Sequence, residues 1–199
     1  MADYTQAQIT LLSHQNLTHP DKVVGSGQTV ATFLSCRVFA WLADIETTAN
    51  ATAPSLLIQG CPDADGNNWV TIAKLEGPTT ASESEVLTAV EPIGETVMAM
   101  ASTTNLAVGD KIYIAKAAGV ASSEWGEIVA VATNVSVTVM DGLISAVAIN
   151  DVMYDQAMSW EFEINLGGIV RLRAVLVHQA ATGSDLRVMV VAECATDLE

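Results

Sequence analysis

Hydrophobic and polar positions alternate with a period of two along several stretches of this chain. In TVATFLSCRVFAWLAD, residues 29–44, the even positions read Val30, Thr32, Leu34, Cys36, Val38, Ala40 and Leu42, while the odd ones mix Ser35 and Arg37 with Phe39 and Trp41. Alternate residues of a strand point to opposite faces, so the even set predicts a core face. The two aromatic residues predict that part of the other face is covered as well. SLLIQG (55–60) and WVTIAKLEG (69–77) flank CPDADGNN, whose Asp, Gly and Asn residues tolerate positive φ, the signature of a hairpin. Three late runs have one clean apolar face each. Trp160, Phe162, Ile164 and Leu166 alternate with Glu161, Glu163 and Asn165. Val170, Leu172, Ala174 and Leu176 alternate with Arg171 and Arg173, the two runs being joined at Gly167-Gly168 and expected to pair as a hairpin. Val188, Val190, Ala192 and Cys194 alternate with Arg187, Met189 and Glu193. Antiparallel sheets buried on one side require such patterns.

Between the two groups of long strands the texture changes. Residues 78–92 are rich in Thr, Ser and Glu and read as a linker. Short strands are expected at 96–101, 111–115, 127–132, 134–140 and 151–154, separated by turns such as VGD, ATN and MDG. Strands this short with turns this frequent suggest a small barrel or sandwich. The fold class expected is therefore all-β: an antiparallel β-sandwich, jelly-roll-like, from residues 29–80 plus 155–199, with a small β-barrel module (90–154) inserted. Residues 1–28, polar and aperiodic, read as an N-terminal arm whose deletion would weaken attachment to a partner and leave the fold intact.

Composition narrows the classes of function. Half of the 199 residues are apolar and 16% are charged, enough for a sizeable core and unlike a disordered tail. No run approaches the roughly 18–20 apolar residues that span a bilayer, and MADYTQAQIT lacks the basic and apolar regions of a signal peptide. Neither a membrane partner nor secretion is expected. Twenty-three acids against 8 bases give a net charge of −15, which argues against direct nucleic-acid binding and suits docking on a basic patch. Cys36, Cys61 and Cys194 are odd in number and share no CxxC spacing, and they read as buried reduced thiols.

No pattern specifies catalysis. His14, His19 and His178 lack zinc-ligand spacing. DADGNN (63–68) has Gly66 in the fourth place and a strand too soon after it for a calcium loop, so a hairpin turn is the better reading. There is no GxSxG, no catalytic-cysteine signature and no P-loop, and Glu161 and Glu163 read as a solvated strand face. No catalytic residue, cofactor or metal is expected. Arg37, Arg171, Arg173 and Trp125 are the candidate partner contacts. Cross-strand pairing of Arg171 and Arg173 with Glu161 and Glu163 is the plainer reading and a docking patch the sharper one. Trp41, Trp69, Trp125 and Trp160 read as core or hairpin packing, with Trp125 capping the small barrel.

The run VMAMASTTNLAVGDKIYIAKAAGVASSEWGEIVAV, followed by VSVTVMDGLISA, resembles a module of tailed-bacteriophage virion proteins. Ala101 to Asp110, Ser123 to Trp125 and Val137 to Leu143 carry the likeness. SLLIQGCPDADGNNWVTIA and RLRAVLV are similar to jelly-roll or discoidin-like domains of phage structural proteins, with Cys61 and Pro62 where Ser is common. The resemblance implies a non-enzymatic virion structural protein, a homo-oligomer that is made in the host cytoplasm and decorates or cements a shell of major capsid protein. A tail-tube, neck or head–tail joining protein would use the same material, and a discoidin-like carbohydrate-binding module is a further alternative.

Overall fold

The computed structural model of the chain describes residues 6–18, 21–45, 52–178 and 185–196. Its strands are β1 (Gln6–Thr18), β2 (Asp21–Val24), β3 (Gln28–Thr29), β4 (Ser35–Asp44), β5 (Ser55–Cys61), β6 (Val70–Glu76), β7 (Ser84–Val86), β8 (Val97–Ala99), β9 (Lys111–Ala115), β10 (Glu124–Ala132), β11 (Ser136–Val139), β12 (Val152–Tyr154), β13 (Ala157–Asn165), β14 (Arg171–His178) and β15 (Asp185–Ala195). The one helical element among the described residues is a 3-10 turn, Val120–Ser122. The protein is an all-β antiparallel sandwich, as the alternation predicts.

A first sheet runs β1-β15-β4-β13 and a second β2-β14-β5-β6, with β3 also on β14. They enclose one core: Cys36, Val38, Ala40, Leu42, Val188, Val190 and Ala192 from the first meet Leu56, Ile58, Leu172, Ala174 and Leu176 from the second. The alternation within β4, β14 and β15 thus fixes which side chains leave water. Thr32 and Leu34, expected on the same face, are exposed, because the chain turns at Val30–Phe33 and the strand starts at Ser35.

A third sheet, β7-β12-β9-β10-β11-β8, has its own core around Met98, Ile112, Ile114, Ile128, Val137 and Met153. Its edges meet where Leu87 bridges Met100 and the Thr88 N–H donates to the Ala99 carbonyl (2.9 Å), so the sheet curls into a half-barrel. β7 falls within the stretch expected to be a linker. Where the chain enters and leaves this unit the two connections touch: the Glu83 N–H donates to the Asp155 carboxylate at 2.8 Å.

Three expectations are corrected. Residues 6–18 are not a free arm: β1 pairs along β15 and buries Leu11, Leu12 and Leu17. Two adjacent buried leucines break the alternation, and β-bulges between Thr10 and Leu12 and between Leu12 and Gln15 allow it. The runs either side of Gly167-Gly168 do not pair with each other. β13 pairs with β4 and β14 with β5, so the chain crosses between sheets there, with Gly168 at φ 81°. Lastly, Cys36 and Cys194 are directly opposite in the β4–β15 ladder, fully buried, and joined by a disulfide (Cα–Cα 4.0 Å) rather than being reduced. Cys61 is buried and free.

Candidate interaction surfaces

Arg171 and Arg173 lie on the outer face of the second sheet and serve the 61–69 turn. The turn folds because Gly66 accepts φ 71° and its N–H reaches the Asp63 carbonyl (3.1 Å). Trp69 then closes it, donating from Nε1 to the Gly66 carbonyl at 2.6 Å. Arg171 donates to the Gly27 carbonyl at 2.8 Å and the Ala64 carbonyl at 3.3 Å. The Arg173 guanidinium stacks 4.0 Å from the centre of the Trp69 ring and donates to Gln59 at 2.9 Å. The expected pairing with Glu161 and Glu163 does not occur, since those residues are on the first sheet. The contacts these two arginines make, Arg171 to two carbonyls and Arg173 to Gln59 and the Trp69 ring, are within their own chain, while the buried Arg171 Nε has no partner among the described residues.

Trp125 is at the seam between sandwich and half-barrel instead of capping the barrel. Its ring lies 4.5 Å from His14 of β1 and 4.9 Å from Tyr113 of β9. His14 Nε2 is 3.1 Å from the Tyr113 hydroxyl. Ala43, Ala157 and Ala115 fill the space around them. Burial, reinforced by Arg187, lowers the His14 pKa from 6.5 to about 4, and burial pushes the Tyr113 phenol up. His14 reads from sequence as part of a polar arm, and only the Ala7, Ile9, Leu11 alternation within 6–11 hints at a strand there.

Inside the half-barrel a buried ion pair joins Lys116 to Glu124. Lys116 also donates to the Ser145 carbonyl (2.6 Å) and hydroxyl (2.8 Å), and Glu124 accepts from the Ile144 N–H (2.8 Å). This knot holds the 141–150 loop beside the 90–95 turn, where the Gly94 N–H donates to the Leu143 carbonyl (2.9 Å) and Glu91 bridges Val147. Val90, Ile93, Ile144 and Ile149 are all exposed at that end, Ile144 at 79%. Alternation does not reveal them because they sit in turns.

Arg37 stands on the outer face of the first sheet, in line with Phe39 and Trp41 along β4. Its guanidinium is 5.5 Å from the centre of the Phe39 ring and pairs with Glu161. Phe39 and Trp41 are stacked, 6.2 Å between centroids and 15° between planes. A hollow of about 480 Å³ beside Arg37 is lined by Glu161, Glu163 and Glu193. At the other end Trp41 lines two open clefts, of about 190 and 430 Å³, together with Trp125 and Asp141 of the half-barrel. Among the described residues no three His, Cys, Asp or Glu side chains converge as a metal site.

No protein-family model and no curated protein sequence matches the chain. Three solved structures to which it is similar come from viruses. One is from the Gt strain of infectious bursal disease virus, with 12% identity, TM-score 0.26, 98% of this chain and 42% of that chain covered. Another is the VP2 subviral particle of the same virus, with 10% identity, TM-score 0.25, and 98% and 42% covered. A third is VP17, a capsid protein of bacteriophage P23-77, with 7% identity, TM-score 0.16, and 98% and 97% covered. The chain spans about two fifths of the length of the first of these.

Proposed function

We propose that the chain is a non-enzymatic structural protein of a virion, decorating or cementing the capsid shell of a tailed bacteriophage. The observation that supports this reading best is the end of the half-barrel formed by Val90, Ile93, Ile144 and Ile149, exposed apolar side chains held in place by the buried Lys116–Glu124 knot. Grouped exposed apolar side chains mark protein interfaces, and a rigidly held group loses little entropy on docking. The sandwich supplies a clamped base for it through the Cys36–Cys194 disulfide. In this reading the half-barrel end meets the major capsid protein or another virion protein. Copies assemble about a local symmetry axis.

The test is the copy number of the chain in density-purified particles, by quantitative mass spectrometry against the major capsid protein. A ratio near one, or near one third, is the expected result. A dozen copies per particle would move the protein to the neck, an intermediate number to the tail, and absence would overturn the virion role.

A further inference from the structure

We propose that the outer face of the first sheet is a docking groove for an extended, arginine-bearing segment of a partner protein. Its floor is a stripe along β4. Phe39 and Trp41 lie on it, flanked across the β15 ladder by Val191 and Met189. All four are only partly covered by the chain itself. The half-barrel walls the Trp41 end, where Trp125 and Asp141 line the clefts. Carboxylates rim the other end: Glu161 is opposite Phe39 in the β13 register, and Glu163 and Glu193 lie either side of Arg37.

Charge selects the occupant. Arg37 is committed to Glu161. Among the described residues no cation stands within ion-pair distance of Glu163 or Glu193. Two carboxylates beside an aromatic stripe attract a cation that can also lie on a ring. Arg37 already shows that arrangement within the chain, its guanidinium over Phe39 and one of its terminal nitrogens on the Glu161 carboxylate. Guanidinium does both better than ammonium, being planar and more weakly hydrated. From Arg37 to Trp41 the stripe spans about 13 Å at strand rise, which matches three alternate side chains of an extended segment. A partner would place arginine over Glu163 and Glu193 and an apolar side chain in the Trp41 cleft. This role goes beyond attachment by the half-barrel end and does not depend on which assembly receives the protein.

The probe is a synthetic peptide of alternating arginine and serine ending in leucine, blocked at both termini, titrated by isothermal calorimetry into the full chain at low salt. Versions with lysine or glutamate in place of arginine are run in parallel. The expected order is arginine tighter than lysine, no binding of the glutamate peptide, and affinity falling as salt rises. The double variant Glu163→Gln, Glu193→Gln should weaken the arginine peptide about tenfold, the equivalent of two exposed charge pairs, with an unchanged melting temperature because both sites are on solvent-facing strand positions. Phe39→Ser should weaken it without altering the salt dependence. Failure of the arginine peptide to bind, equal binding of the glutamate peptide, or full affinity in the glutamine double variant would overturn the groove. Any of these would leave the virion role standing, and absence from particles would leave the groove standing.

Discussion

His14 is a base held where its charged form is disfavoured. In the folded chain its pKa is about 4, against 6.5 for a free side chain, because burial removes water from the ring and Arg187 repels the imidazolium. Between those values the unfolded chain binds a proton that the folded chain does not. Stability contributed by neutral His14 is therefore complete above about pH 6.5 and lost as pH falls through about 4, by at most about 3 kcal/mol and by less to the extent that water reaches the ring. Urea unfolding across this window should show a steeper acid loss for the natural chain than for His14→Gln, and parallel curves would rule the role out. Arg171 makes a different kind of contribution at the same scale. It satisfies the carbonyls of Gly27 and Ala64, two segments far apart in sequence, so Arg171→Ala should cost about 1–3 kcal/mol. Arg171→Lys should recover little, since an ammonium lacks the fork that spans both acceptors.

Strands transmit these local effects through their registers. β1 was the element hardest to see in the sequence: glutamines, threonine and asparagine interrupt it, and its bulges place Leu11 and Leu12 in the core together, which no period-two reading allows. β4, β14 and β15 were legible because their core faces alternate, and β5 because the CPDADGNN turn follows it. What alternation cannot show is which strand pairs with which. A period of two is the same whether β13 pairs with β14 or with β4, so Glu161 could be placed on a face and not given its partner Arg37. The same gap hid the disulfide, since Cys36 and Cys194 are 158 residues apart and only the β4–β15 register brings them opposite. Three outcomes follow at this scale. Deleting residues 1–18 removes three core leucines and uncovers the edge of β15, so the truncated chain should lose cooperative unfolding and aggregate, instead of folding normally with weaker attachment. The oxidised protein, denatured, should titrate with one thiol per chain and with three after reduction. Replacing Cys36 and Cys194 by Ala should lower stability by about 2–4 kcal/mol.

At the scale of the whole molecule, two cores meet at one small seam. The sandwich core and the half-barrel core share no residue, and the contact between them among the described residues includes Tyr113, Trp125, Tyr154, Ile45, His14 and a few alanines. The chain leaves the sandwich after β6 and returns at β13, and Glu83 and Asp155 are hydrogen-bonded to each other at that crossing. Ends that touch can be joined by a short linker with little loop-closure cost. A chain in which residues 83–155 are replaced by a Gly-Ser linker should therefore retain the sandwich, its disulfide and a single cooperative transition. It loses the seam, however, and with it the burial that lowers the His14 pKa: the imidazole, released from Tyr113 and Trp125 but still beside Arg187, should titrate above 4, towards 6.5, by NMR. It should also lose the exposed Val90, Ile93, Ile144 and Ile149, and so any attachment that depends on that end, while the Glu163–Glu193 end of the first sheet is untouched. An excised chain that fails to fold would mean that the half-barrel is a structural part of the sandwich; one that folds and still attaches would transfer the docking role to the sheet face alone.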